Sequence, residues 1–207
     1  HGMHLEVDII GGTTTTVQNP MATVINSLEL EIGGQRIDKH TGQWMNVWAH
    51  LTQPNPSGST GAVSADETQS IGCTNYQRMT GMGGFLNANF DAKYFVPLQF
   101  WFCRNAGLAL PLIALQYHEV KIIMDHTFSR ASTGTVTNRL WADYVYLDTD
   151  ERRRFAQVSH EYLIEQVQET TVTAAGTSDL NFNHPVKELI WCVDSLATGA
   201  LAAIGYP

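Results

Sequence analysis

The stretch Asp143-Tyr-Val-Tyr-Leu-Asp-Thr-Asp-Glu-Arg-Arg-Arg-Phe-Ala-Gln-Val-Ser-His-Glu-Tyr-Leu163 divides the chain. Its first residues are aromatic and β-branched, the composition of a strand. Asp148 stands three residues before Glu151, the spacing at which an N-cap side chain and an acidic residue one turn on answer each other's orphan backbone donors. Asp150 and Glu151 fall in the first turn and Arg152, Arg153 and Arg154 near the last, the order that the helix dipole favours. A helix this short is marginal alone. The stretch therefore predicts a short helix near Asp150–Phe155, held by tertiary contacts, with strands on both sides and a β-rich unit at either end.

On the N-terminal side, Leu5, Val7 and Ile9 alternate with Glu6 and Asp8, a half-buried strand. Leu28, Leu30 and Ile32 alternate with Glu29 and Glu31, and Gly33-Gly34 then supplies a two-residue hairpin turn into Gln35–Asp38. Thr41 is placed to cap a helix bringing Trp44, Val47, Trp48 and Leu51 onto one face, a plug over the end of a β core. Thr52 to Gly84 is polar and rich in Gly, Pro, Ser and Thr, which predicts a long projecting loop. Tyr94–Phe102 is dense in aromatics; His118, Val120, Ile122 and Met124 form a further alternating strand. Ser129–Asn138 reads as a second polar loop, and Leu140–Leu147 as a strand buried on both faces. Beyond the divide, Tyr162–Val172 and Pro185–Val193 read as strands, the latter entered through an extended His184-Pro185 and turning Leu189, Trp191 and Val193 inward. Many strands, few helices and elaborate loops predict an all-β fold, a jelly-roll β-sandwich.

The 207 residues carry a net charge of −8, with 43% hydrophobic and 15% charged residues. Gripping nucleic acid needs a surplus of Lys and Arg, so the charge argues against direct nucleic-acid binding, although not against enclosing it. Cys73, Cys103 and Cys192 show no CxxC spacing and read as reduced, small apolar residues. No apolar run approaches the roughly 18–20 residues of a membrane span, and Leu196–Ile204 is short and interrupted by glycine.

Chemistry is sparse. His4-Leu-Glu6 has the His-x-acid spacing of a facial-triad iron site, yet neither His118 nor His126 is marked as a third ligand. Gly81-Met-Gly-Gly84 lacks the Lys-Ser/Thr of a phosphate loop. No nucleophile elbow occurs. Arg152–Arg154 are offset by neighbouring acids and read as a solvated helix end. Two rivals to a purely structural role remain: a jelly-roll metal oxygenase using His4 and Glu6, and a carbohydrate-binding sandwich stacking sugar on Trp44, Trp48 or Tyr76.

Five segments, in order, carry a resemblance: Leu28–His40, Phe95–Asn105, Leu110–Ile122, the Asp143–Leu163 divide and Asn183–Trp191. Together they resemble the major capsid proteins of large nucleocytoplasmic DNA viruses, the iridovirus and phycodnavirus group. The resemblance implies a double jelly roll, with two sandwiches side by side and three chains per pseudo-hexagonal capsomer of an icosahedral virion shell. It implies a homotrimer that contacts neighbouring capsomers and minor capsid proteins, assembles in the host cytoplasm, and has no catalytic, cofactor or metal residues. The expected division is a first roll lacking its first strand at 1–148, a helical hinge at 149–158 and the start of a second roll at 159–207. The second roll would be incomplete, the chain being a piece of a longer polypeptide, and the first would have an unpaired edge.

Overall fold

The computed structural model describes residues 2–12, 17–53, 74–83, 87–88, 92–128, 132–172 and 176–191. The chain divides into a larger unit ending at Val167 and a smaller one beginning at Gln168. The larger unit contains two antiparallel three-stranded sheets. In the first, β1 (Met3–Gly12) lies between β6 (Lys93–Pro97) and β8 (Ser132–Ala142). In the second, β3 (Ile25–Ile32) lies between β4 (Gln35–Thr41) and β7 (Val120–His126). A two-stranded ribbon joins β2 (Val17–Gln18) to β5 (Asn87–Ala88).

The period-two pattern explains which faces meet. Leu5, Val7 and Ile9 of β1, Tyr94 and Val96 of β6, and Ile25, Leu28 and Leu30 of β3 are buried in one apolar cluster. Val120, Ile122 and Met124 of β7 pack against it from an edge. The intervening Glu29, Glu31 and Lys121 stay on the outer face, where Lys121 lies 3.0 Å from Glu119. The β3–β4 hairpin turns at Gly33 and Gly34, with φ of 61° and 82°. Those paired positive angles belong to the turn whose twist matches a hairpin, and glycine adopts them without a Cβ clash.

Two helices pack on each other and on the second sheet. α1 (Pro20–Val24) precedes β3, and α2 (Gly42–Thr52) follows β4. Thr41 caps α2, its hydroxyl accepting from the Trp44 N–H at 3.1 Å. The deepest face of α2 is Gly42, Met45 and Ala49, while Trp44, Val47 and Trp48 are half-buried and Leu51 is exposed. The plug was expected on the tryptophan face; Met45 fills the buried face instead, and Gly42, lacking a Cβ, lets the helix start lie close to the Ala22 and Ile25 carbonyls.

The second half of the expected 52–84 loop also departs from the reading. Residues 54–73 lie outside the described residues, but α3 (Asn75–Thr80) packs into the fold with Gln77, Thr80, Met82 and Gly83 buried. Thr74 and Gln77 form a complete capping box, and Gly81 ends the helix in the left-handed conformation. α4 (Trp101–Arg104) and a 3-10 turn at Ala106–Leu108 follow β6.

Three further corrections concern the C-terminal half. Ser132–Ala142, seven of whose eleven residues were expected to be loop, is the long strand β8; its Thr135-Val136-Thr137 run suits a pleated surface. It is an edge strand, and Leu140 and Trp141 are about half exposed. Tyr144, Val145 and Tyr146 continue beyond the ladder as exposed, irregular chain. The short helix occurs as α5 (Thr149–Gln157), with Asp148 Oδ1 accepting from the Glu151 N–H at 2.9 Å. Beyond it, no strand forms among the described residues of 159–191. In the smaller unit, Leu189 and Trp191 are exposed, and His184 takes a φ of 72° where an extended entry was expected. Apolar alternation yields a strand only where a partner ladder exists, and an isolated pair is marginal in water. Val193, Cys192 and Leu196–Ile204 lie outside the described residues. No helix among the described residues is long and apolar enough to cross a membrane.

Candidate functional site

His4 and Glu6 alternate with the core residues of β1 and so share its outer face. Register places Trp141 opposite His4 and Arg139 opposite Glu6 on β8, and Lys93 opposite Asp8 on β6. The His4 ring stacks with Trp141 at 6.2 Å. Glu6 is buried, and its carboxylate accepts from Trp141 Nε1 at 2.7 Å and Arg139 Nη1 at 2.9 Å, with Lys93 Nζ 3.3 Å away. The Trp141 hydrogen bond holds the Glu6 carboxyl below its usual range against desolvation, and Lys93 and Arg139 pull the same way. Lys93 also reaches Asp8 at 3.1 Å, and this pairing raises its own pKa. Glu6 thus has cations and an indole as partners. Among the described residues no group of three His, Cys, Asp or Glu side chains comes together as a metal site, and neither His118 nor His126 joins His4 and Glu6.

The aromatics proposed for sugar stacking serve the helical end of the roll. Trp44 and Trp48 lie 5.5 Å apart, and Trp44 continues through His40 to Phe100, whose ring stacks on His40 at 4.6 Å. The Arg104 guanidinium covers one face of the Trp48 ring at 4.2 Å, a cation–π contact. Tyr76 packs beside Gly83 and Ala49, and burial pushes its hydroxyl up to about 12. Cys103 is a free, half-buried thiol raised to about 11, chiefly by desolvation. Cys73 lies outside the described residues. Gly81 and Gly83 are turn residues, with the Gly83 N–H donating to Asn46 Oδ1 at 2.7 Å.

Two surfaces remain as candidates for assembly. One is the flank where edges β7 and β8 face each other across a cleft of about 210 Å³, lined by Leu5, Leu28, Leu98, Ile122, Met124 and Leu140 with Asn138 and Arg139. The other is the α5 region, where Arg152 Nε donates to Leu147 O and Arg153 makes only a loose, exposed contact with Asp150 at 3.9 Å. The first is an apolar flank of the sandwich and the second a charged, exposed helix.

A family model described as the major capsid protein N-terminus matches residues 4–148, and one for the large eukaryotic DNA virus major capsid protein matches 151–203. The chain belongs to this major capsid protein family. The major capsid protein of Pyramimonas orientalis virus is 45% identical, over 92% of this chain and 48% of its own length. That of Paramecium bursaria Chlorella virus 1 is 41% identical, over 87% of this chain and 43% of its own. The chain therefore spans about half the length of these relatives. Among solved structures, the crystal structure of PBCV-1 VP54 fitted into a reconstruction of the virophage Sputnik matches with a TM-score of 0.56 and 37% identity, covering 80% of this chain and 39% of that one. A quasi-atomic model of the PBCV-1 virus capsid matches at 0.56 and 38%, with the same coverage. Family and neighbours agree on a jelly-roll coat protein, as the five ordered segments implied.

Proposed function

We propose that this chain supplies the first jelly roll and the junction of a major capsid protein whose full-length form is a homotrimer, the pseudo-hexagonal capsomer of an icosahedral shell. One observation carries the reading: the N-terminal capsid model falls on the two-sheet sandwich, and the second model begins within α5. The division is a first roll at 1–148 lacking its first strand, a hinge at 149–158 and the opening of a second roll at 159–207. Among the described residues β8 has no strand on its outer edge, and this and the β7–β8 cleft support the missing strand.

The work is geometric. Two sheets packed on an apolar core make a stiff wall, and identical walls meeting through heterologous contacts close into a ring at three-fold rotation. No residue is assigned to catalysis, cofactor or metal. Neighbouring capsomers and minor capsid proteins are the partners, and assembly takes place in the host cytoplasm. The acidic balance suits a shell that encloses a genome without gripping it. Native mass spectrometry of the full-length protein tests the proposal. Trimers are expected; a monomer persisting at high concentration, with no particle formation, overturns it.

A further inference from the structure

The segment after α5 is held against the first roll in an unusual way. Its apolar residues do little of the holding, since Leu163 and Ile164 are both exposed. Polar contacts do it instead. Tyr162 donates to Ala109 O at 3.3 Å, and Glu165 Oε2 accepts from Arg104 Nη1 at 2.9 Å. The Gln166 amide donates to Ile37 O, and the Val167 N–H donates to Asp38 Oδ1 at 3.0 Å.

The receiving side is a bulge on an edge strand. Asp38 pairs with Leu30 and Arg36 with Glu31, so Ile37 is an extra residue in β4, at the edge of its sheet. Bulges leave one residue unpaired and interrupt the ladder locally. Here the freed Ile37 carbonyl goes to Gln166. The neighbouring Asp38 carboxylate is buried, also accepts from the Lys39 N–H at 2.9 Å, and lies 2.9 Å from the buried His40 Nε2. That last contact lacks the alignment of a full hydrogen bond. Arg104, stacked on Trp48 and donating through Nε to Gln99 O at 2.9 Å, is equally fixed before it meets Glu165.

We infer that the Ile37 bulge, Asp38 and Arg104 form a clasp that seats residues 162–167 as a strap over the β4 edge and so fixes where the chain leaves the first unit at Val167. The strap also shields an edge that would otherwise offer unpaired backbone groups to another chain. The inference stands on these contacts and not on the capsomer reading. Because polar groups hold the strap, single substitutions should release it while the roll stays folded.

Hydrogen exchange and limited proteolysis of full-length protein test this. In Asp38→Asn, the Val167 amide should exchange about tenfold faster or more, the loss expected for a hydrogen bond to a charged acceptor. Cleavage within residues 158–172 should accelerate while the amides of Leu5, Val7, Leu28 and Leu30 keep their protection. A Glu165→Ala/Gln166→Ala double variant leaves Asp38 and His40 untouched and should loosen the same segment; it decides the matter if Asp38→Asn does not fold. Unchanged Val167 protection in the folded variants overturns the clasp. So does equal acceleration of strap and core amides, because Asp38 would then be supporting the roll itself.

Discussion

Gly42→Ala should destabilise the roll, although alanine is the better helix former by about 1 kcal/mol in a helix interior. Gly42 is the first residue of α2. A Cβ there would stand 2.2 Å from Ile25 O and 2.4 Å from Ala22 O. Carbon–oxygen contacts settle near about 3.3 Å, so the helix start must retreat by roughly 1 Å from both α1 and the first residue of β3. Both obstacles are backbone, and neither can rotate away as a side-chain end could. Overpacking costs about 1–3 kcal/mol, and an immovable neighbour places this case at the upper end. After the propensity gain, the net loss should be about 2 kcal/mol, or a melting temperature lower by about 4–8 °C for a domain of this size. Urea unfolding followed by tryptophan fluorescence measures it. Gly107→Ala is the control: its Cβ would lie an ordinary 3.4 Å from Asn105 Oδ1, so stability should stay within about 0.5 kcal/mol. If Gly42→Ala matches the wild type, the helical end is looser than its geometry implies and the reasoning fails.

Other expectations follow from single contacts. Leu30→Ala removes a fully buried side chain from β3, the central strand of its sheet, and should cost about 2–5 kcal/mol in the same urea assay. Thr74→Ala breaks the capping box of α3 and should cost about 1 kcal/mol, with faster proteolysis around Asn75–Thr80. The lowered pKa of Glu6 means that the unfolded state takes up a proton before the folded state does. Its contribution is therefore present at neutral pH and lost as pH falls through the lowered folded-state value. Stability measured from about pH 5 down to pH 2 should fall less steeply in Glu6→Gln than in the wild type. An identical slope would remove Glu6 from the acid response.

What the sequence disclosed, and what it did not, has one physical cause. The Gly33-Gly34 turn and the Asp148 cap were legible because their partners lie within four residues. The same logic applied to Thr74-Asn-Tyr-Gln77, whose capping-box spacing stood in plain view inside a stretch read as projecting loop; low apolar content outweighed the local signal. The face of α2 was misjudged because tryptophans promise burial by size, whereas Met45 fills the buried face and Gly42, lacking a Cβ, permits close approach. The Ile37 bulge gave no sign at all, since an extra residue in a ladder is visible only once the partner strand is known.

The misread strands show the limit most clearly. Tyr144–Tyr146, Leu163 and Trp191 have strand composition and alternation, yet all are exposed. Alternation says which face seeks cover and nothing about what supplies it. Leu28 and Leu30 are buried because β1 and β6 present Leu5, Val7 and Val96 to the same core. No described element does this for Trp191. Leu163 belongs to a strap seated on Asp38 and Arg104, so its segment is positioned by polar contacts that hydropathy patterns do not register. The candidate site was legible to the same degree: His4 and Glu6 do share a face, as their spacing required. The partners that Glu6 finds on that face, Arg139 and Trp141, come from more than 130 residues away and are brought there by β8, a strand most of which the sequence had presented as loop.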